Sequence, residues 1–220
     1  MSHESSAYAK ICTGETPGLV STQDYLNRLG EVLQLVPHEQ VDEIRDVLLD
    51  AYEKDRRIFL FGNGGSAALA SHFACDLAKG VTMGSNGAKR FRAIALTDSV
   101  PIMTAWANDS HYEDIFAEQL KNLIEPRDVA FAISASGNSR NVLKALEVAR
   151  HTGGFCVGLG GYDGGKMKPL CDLCLVVPSD NMQLIEDLHL SIAHALFTTL
   201  RHRLETGAHH AALKLATVAR

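Results

Sequence analysis

The chain has 220 residues, of which 46% are hydrophobic and 21% are charged, and this balance predicts one globular domain with a sizeable core. The formal net charge is −5, and the basic residues are scattered rather than clustered, so direct binding of nucleic acid is not expected. The sequence has neither an apolar run of about 18 residues nor the pattern of a signal peptide, so we expect no membrane association and a cytoplasmic location.

The five cysteines agree with a reducing compartment. Their number is odd, and Cys156 lies within an apolar segment, as is typical of buried free thiols. Cys171 and Cys174 form a C-x-x-C pair. Because no second pair accompanies it in the sequence, we favour core packing for these two thiols over a zinc or redox role.

The chain begins with a segment that predicts no regular structure, because residues 1–21 mix Ser, Gly, Thr and Pro without periodicity. Two apolar stripes at helical spacing follow, from Leu26 to Val36 and from Val41 to Tyr52. Pro37 lies between them. The two stripes predict an N-terminal helical hairpin.

From residue 57 onward, apolar strand patterns alternate with helical patterns. The predicted strands are 57–61, 91–96, 128–133, 155–159 and 173–177, and the predicted helices are 67–79, 112–124, 139–151 and 182–204. Such alternation predicts an α/β fold with a doubly wound, five-stranded parallel sheet and helices on both faces. The expected organisation is a flexible leader over 1–21, a single domain over 22–204 and a C-terminal tail over 205–220.

A hydroxyl-rich loop, Ile133-Ser-Ala-Ser-Gly-Asn-Ser139, follows the third predicted strand and precedes an amphipathic helix. A turn of this kind directs unpaired backbone N–H groups and the positive end of a helix dipole towards an anion. Ser134, Ser136 and Ser139 add neutral donors, so the loop predicts a phosphate cradle. The alternative is an ordinary turn in which Ser139 only caps the helix.

A second small-residue loop, Gly62-Asn-Gly-Gly-Ser66, follows the first predicted strand. Because the carboxyl ends of parallel strands line one edge of the sheet, both loops should face a common ligand crevice. Gly62, Gly64 and Ala67 also satisfy the G-x-G-x-x-A pattern of dinucleotide sites. However, no acidic residue lies about 20 residues further on, so we expect no nucleotide cofactor.

Two pairs of ligand-type side chains lie on predicted helices. His72 and Asp76 are four residues apart on one helix face, where they could share a metal or a proton, or form an ordinary exposed pair. Glu186 and His194 lie on the last helix, about 12 Å apart along its axis. This separation is too large for both to reach one ion from a single chain, so two chains would have to contribute.

The last predicted helix has two apolar sides. Asp180 and Gln183 resemble a capping box at its start, and a stripe from Ile185 to Leu200 faces the core. Leu190 lies on the other side with Phe197 and His194. A helix that is apolar on two sides needs two partners, so we expect a subunit interface there.

Six ordered motifs together resemble the phosphoheptose isomerase family of sugar isomerase (SIS) domain proteins. They are Gly62–Ser66, His72–Ala74, Ala107–Asp109, Ile133–Ser139, Asp163–Lys166, and Glu186–His189 with His194. Members convert sedoheptulose 7-phosphate to glycero-manno-heptose 7-phosphate. The resemblance runs from about residue 22 to 204 and implies an SIS-type sheet with flavodoxin-like strand order.

The resemblance also implies the roles of individual residues. Substrate and phosphate would be held by Asn63, Gly64, Gly65, Ser66, Asn108, Asp109, Ser134, Ala135, Ser136, Ser139 and Glu186. Zinc would be bound by His72, Asp76, Glu186 and His194, with Asp76 as catalytic base and His194 as catalytic acid. The implied assembly is a homo-oligomer, a tetramer with shared active sites, in which Asp76 of one chain would work with His194 of another.

The sequence departs from the family pattern at four positions. Asp76 replaces a Glu, Glu186 a Gln, Ala135 a Thr and Gln183 an Asp. Asp76 retracts its carboxylate by one methylene, and Glu186 adds a negative charge that would tighten a divalent cation and lower its Lewis acidity. Two alternatives therefore stay open: a non-catalytic SIS-domain regulator that binds a phosphosugar, and an isomerase of a different phosphosugar.

Overall fold

The computed structural model of the chain describes residues 20–81 and 89–218, with side chains as far as residue 206. The predicted leader lies outside the described residues up to position 19. The strands are β1 (Arg57–Gly62), β2 (Arg92–Ala95), β3 (Val129–Ile133), β4 (Phe155–Gly160) and β5 (Leu173–Val176). The helices are α1 (Thr22–Leu33), α2 (His38–Glu53), α3 (Gly65–Cys75), α4 (Val100–Asp109), α5 (Ala117–Leu123), α6 (Arg140–Thr152) and α7 (Met182–Val218).

The five strands form one sheet in the order β2-β1-β3-β4-β5, and every neighbouring pair is parallel. The predicted doubly wound sheet and its flavodoxin-like order are thus confirmed. The order reverses between β1 and β3, where ligands bind in open α/β sheets. Gly62 at the end of β1 is the register partner of Ile133 at the end of β3, so the two predicted ligand loops start side by side.

Alternate residues of the strands point to two separate cores. On β1, Ile58 and Leu60 belong to a core that also contains residues of α1, α2, α3 and α7. Phe59 and Phe61 belong to the core on the other face, with residues of α5 and α6. Strands buried on both faces read as continuous apolar runs, which is why they were recognisable in the sequence. Among the described residues, no helix combines the length and apolar character that a membrane span requires.

Helix α4 was not predicted. Its sequence is apolar on nearly every side, so no stripe stands out, although Met103, Trp106 and Ala107 pack at helical spacing against the core. The signal that was available is Pro101, since proline favours the first turn of a helix.

Three helix boundaries also differ from those predicted. The segment 112–124 divides into a 3₁₀ turn at Tyr112–Asp114 and helix α5, because Asp114 is buried by bonds from Ser110 and Lys144. The helix after β1 ends as a π-helical turn at Asp76–Gly80. Helix α7 has 37 residues and continues to Val218, past the predicted end at 204.

The cap of α7 was assigned to the wrong residue. The side chain that accepts a bond from the first turn is Asn181, whose Oδ1 lies 3.1 Å from the Leu184 nitrogen. Asp180 therefore does not take the N-cap role that its spacing from Gln183 suggested. Asn and Asp cap helices about equally well, so their order in the sequence does not decide between them.

Candidate active site

A cavity of about 610 Å³ opens where β1 and β3 end. The loops after these strands contribute Asn63 and Ser139 to its wall, as the two predicted ligand loops require. The full lining is Asn63, His111, Tyr112, Glu113, Ser139, Arg140 and Asn141. The structure therefore confirms that both loops share one crevice at the switch point of the sheet.

Asn63 is held in the crevice by a reciprocal amide pair. Its Nδ2 donates to Asn141 Oδ1 at 2.9 Å, and Asn141 Nδ2 donates back to Asn63 Oδ1 at 2.8 Å. The hydroxyl of Tyr112 also donates to Asn63 Oδ1 at 3.1 Å. Asn141 is buried, so these bonds fix the first loop to the start of α6.

The hydroxyls of the second loop, which the sequence predicts to form a phosphate cradle, are bonded within the loop itself. Ser139 precedes α6 but, within the described residues, its side chain forms no cap bond to the helix. Instead, its oxygen receives a bond of 3.4 Å from Ser134. Ser136 Oγ receives a bond from the Asn138 nitrogen at 3.3 Å. Since both Ser136 and Ser139 act as acceptors, their own hydrogens can be donated to an anion.

Gly137 lets a third loop close behind the cradle. Its φ is +61°, and a Cβ at this position would lie 2.0 Å from the carbonyl oxygen of Gly164. Backbone bonds from Met167 to Gly137 and from Lys166 to the side chain of Asn138 complete the contact. The predicted Asp163–Lys166 motif therefore supports the cradle from behind.

Arg140 is a lining residue that the sequence reasoning missed. It opens α6 directly after Ser139, its side chain is 87% exposed, and its guanidinium lies 3.9 Å from Glu113. A cation at the start of α6 adds charge to a loop that otherwise offers only neutral donors. The available signal was its position one residue after the cradle.

Other predicted binding residues lie away from the cavity wall. Asn108 and Asp109 are exposed at the end of α4, where Asn108 Nδ2 donates to Asp109 Oδ1 at 2.7 Å. Ala135 is buried, and its carbonyl accepts a bond from the Gly161 nitrogen. Among the described residues, the cavity lining includes none of these three side chains, and of the three cradle serines it includes only Ser139.

His72, Asp76 and His194 meet within one chain. Their ligand atoms all lie within 4.8 Å of one another. The Nε2 atoms of the two histidines are 2.9 Å apart, and His72 Nε2 is 3.3 Å from Asp76 Oδ2. The expectation that Asp76 and His194 belong to different chains is therefore wrong, because α3 and α7 bring them together in the same subunit.

The three ligand atoms form a group that could hold a metal ion such as zinc. Bonds of about 2.0–2.1 Å at a tetrahedral angle place neighbouring ligand atoms about 3.3 Å apart; two of the separations are 2.9 and 3.3 Å, and the third is at most 4.8 Å. Two imidazoles and one carboxylate form a donor set that zinc favours, and in a tetrahedral site they leave one position that this chain does not fill.

Glu186 lies outside this group. Its Oε2 is 2.6 Å from the position that a Cβ on Gly65 would occupy, so the carboxylate packs against the first residue of α3. Gly65 contacts Glu186 and, further along both helices, His72 contacts His194, so α3 and α7 run parallel. Within one subunit Glu186 is therefore not the fourth ligand, as its axial distance from His194 indicated.

The C-x-x-C pair packs against the sheet. The sulfurs of Cys171 and Cys174 lie 2.8 and 3.1 Å from the position of a Cβ on Gly158 in β4. Both thiols are half-buried. The contact supports the core-packing role that was favoured from the sequence.

Comparison with known proteins identifies the family of the chain. The sequence pattern of the SIS domain matches residues 24–161. A phosphoheptose isomerase of Helicobacter pylori (strain P12) is 42% identical over 158 residues, which are 72% of this chain and 81% of the relative.

Two solved structures share the architecture. The phosphoheptose isomerase GmhA from Neisseria gonorrhoeae is 31% identical with a TM-score of 0.72, over 79% of this chain and 91% of that protein. A phosphoheptose isomerase from Francisella tularensis is 27% identical with a TM-score of 0.75, over 83% of this chain and 99% of that protein. This chain therefore belongs to the SIS domain family and, within it, to the phosphoheptose isomerases.

Proposed function

We propose that the protein is an aldose–ketose isomerase that interconverts sedoheptulose 7-phosphate and glycero-manno-heptose 7-phosphate through an enediol. The observation that carries this proposal is the meeting of His72, Asp76 and His194 in a chain whose curated relatives are phosphoheptose isomerases. The cradle at Ser134–Ser139 would bind the phosphate, with Arg140 adding charge.

The isomerisation moves a proton between two adjacent carbons and a second proton between their oxygens. Asp76 is suited to the carbon because its carboxylate is partly buried and held by His72 at 3.3 Å, which fixes the oxygen that takes the proton. We assign the proton transfer between the oxygens to His194 in a state in which its Nε2 does not bind the ion, since a ring nitrogen that binds a metal cannot carry a proton. Asn63, fixed by Asn141, would orient the sugar between the two loops.

We propose zinc as the cofactor, held by His72, Asp76 and His194. When bound, it would polarise the substrate oxygens and stabilise the negative charge of the enediolate. A divalent ion would also balance the negative charge of the Asp76 carboxylate. The tight spacing of the three ligand atoms agrees with an ion bound between them.

We propose further that the protein is a homo-oligomer, with a tetramer as the expected state. Two exposed apolar surfaces support this assembly. Helix α4 carries Val100 at 59% exposure, and Leu190 on α7 is 39% exposed. In such an assembly Glu186 of a second copy could supply the fourth ligand that one chain cannot. The cytoplasmic location remains a prediction from the sequence, with which the cysteine usage agrees.

The deciding experiment incubates the purified, zinc-loaded protein with sedoheptulose 7-phosphate and follows the aldose product. We expect turnover by the wild type and a loss of at least about 100-fold in kcat for Asp76→Asn, in line with removal of a general base. Phosphosugar binding without turnover would favour the regulator. Turnover of a ketose phosphate of another chain length, but not of the heptose, would show that the protein is an isomerase of a different phosphosugar.

A further inference from the structure

His189 on α7 is a fully buried histidine that the proposed chemistry does not use. It is 1% exposed, and its Nε2 lies 3.0 Å from the carbonyl oxygen of Gly160. Because a carbonyl can only accept, Nε2 must carry the hydrogen. Nδ1 is buried with no hydrogen-bond partner among the described residues. Burial lowers the pKa of His189 to about 4, so the ring is neutral at physiological pH.

The bond from His189 reaches the phosphate cradle through two residues. Gly160 is the last residue of β4, and the next nitrogen, that of Gly161, donates to the carbonyl of Ala135 at 2.8 Å. Ala135 lies between the cradle serines 134 and 136. Ile185, one turn before His189, fills the space where a side chain on Gly161 would lie, with its Cδ1 2.4 Å from that position.

We propose that His189 is a positioning residue for the phosphate cradle: by holding Gly160, it fixes the Gly161 N–H that supports Ala135 and sets the cradle at a defined distance from the metal-binding group. The inference rests on the proposed function, since it assigns the Ser134–Ser139 loop to phosphate. Helix α7 also carries His194, so the same helix would position both ends of the substrate.

Packing alone does not account for an imidazole at this point. A buried acceptor without a partner destabilises the folded state, and an apolar side chain of similar volume would avoid this cost at Nδ1. The contribution specific to histidine is therefore the hydrogen bond donated from Nε2. The Gly160 carbonyl also accepts a bond from the Val177 nitrogen at 2.9 Å, so losing His189 removes one of its two bonds: the strand pairing is kept, while the peptide that carries the Gly161 N–H is held less firmly.

The test compares His189→Met, which fills the space without a donor, with His189→Gln, whose amide can replace Nε2. Leu200→Ala serves as the control, because Leu200 is buried on the same helix, about three turns beyond His189, so it opens a cavity under α7 at a distance from Gly160. We expect His189→Met to raise both KM for the phosphosugar and Kd for inorganic phosphate about three- to tenfold, as for the loss of one hydrogen bond. Metal content and kcat should stay within twofold, and His189→Gln should restore most of the affinity.

Amide hydrogen exchange gives a readout that does not depend on turnover. Exchange at Gly161 should be at least several-fold faster in His189→Met and unchanged in Leu200→Ala. Wild-type phosphate affinity and Gly161 protection in His189→Met would overturn the inference, as would an equal loss in Leu200→Ala. If the wild type binds phosphate but converts no heptose, the proposed function fails while the role of His189 is still decided by the exchange data.

Discussion

Each hydroxyl of the proposed phosphate cradle, Ser134, Ser136 and Ser139, donates or accepts a specific hydrogen bond within the loop. Ser134 is buried and donates inward to Ser139, so it shapes the loop. Ser136 and Ser139 each accept a bond and keep a hydrogen for an incoming anion. The three serines therefore divide between support and binding, a division that the spacing of identical residues in the sequence does not reveal.

Ser136→Ala should raise KM for the phosphosugar about tenfold, because a hydrogen bond to a charged group contributes about 1.5–3 kcal/mol. Steady-state kinetics on the heptose phosphate measures the effect. Ser191→Ala is the control, since the hydroxyl of Ser191 bonds the carbonyl of Asp187 within its own helix. An unchanged KM in Ser136→Ala would place the phosphate elsewhere in the crevice.

The pKa of His189 predicts how stability depends on pH. Burial lowers this pKa from 6.5 to about 4, so between these values the unfolded chain binds the proton and the folded chain does not. The stabilisation is complete above pH 6.5 and is lost as the pH falls towards 4. Urea unfolding should show about 2 kcal/mol lost from this group between pH 7 and 5. His189→Gln should lack that part of the slope, and an equal slope in both proteins would refute the assignment.

The sequence predicted the cradle serines, Asn63 and the three metal-binding side chains, because they stand in recognisable local patterns. It did not predict Arg140, Asn141 or Tyr112. Asn141 acts through Asn63, 78 residues away, and such a pair exists only once β1 and β3 lie side by side. Side chains that function through tertiary contacts leave no periodic signal in a single sequence.

At the scale of elements, the parallel packing of α3 and α7 brings together the side chains of the proposed metal group. The two helices meet where Gly65 admits the Glu186 carboxylate and again where His72 meets His194. Strands and helices with a buried stripe were predicted from periodicity, whereas α4 was missed because its sequence is apolar on nearly every side, so that the residues that pack on the core do not stand out. The pairing of α3 with α7 could not be predicted, since it depends on which face of the sheet each helix covers.

Gly137→Ala should damage the cradle more than an ordinary loop substitution. Its Cβ would meet the Gly164 carbonyl at 2.0 Å in a left-handed conformation, so the two loops must separate. We expect KM to rise more than tenfold and the free energy of unfolding to fall. Gly153→Ala is a matched control, because Gly153 also has a positive φ but its Cβ would find only Pro126, at 3.8 Å. In that control the free energy of unfolding should fall by about 1–2 kcal/mol, because alanine is strained in the left-handed conformation, and KM should stay unchanged. An unchanged KM in Gly137→Ala would contradict the close support of the cradle.

At the scale of the whole molecule, one chain brings together the three side chains of the proposed metal group, yet it separates Glu186 from them. Eight residues of helix place Glu186 and His194 about 12 Å apart. This distance was evident from the sequence. The sequence could not show that Asp76 and His194 share a subunit, because that depends on how α3 and α7 pack.

Mixing inactive variants under conditions of subunit exchange tests the assembly. Asp76→Asn mixed with Glu186→Ala should recover activity, since some interfaces would pair an intact metal group with an intact Glu186 from the other chain. Asp76→Asn mixed with His194→Ala should recover none, because both residues belong to one group in one chain. Recovery in the second mixture would show that Asp76 and His194 do act from different subunits.

The contact between His72 and His194 joins points that are 122 residues apart in the chain. An ion held there acts as a crosslink that closes more than half of the polypeptide into a loop, and closing so long a loop restricts the unfolded chain much more than the folded one. Each newly made chain could therefore gain this crosslink before it meets another copy. Scarcity of the ion would then shorten the lifetime of the protein as well as slow its reaction, because binding to the folded state alone shifts the folding equilibrium by mass action.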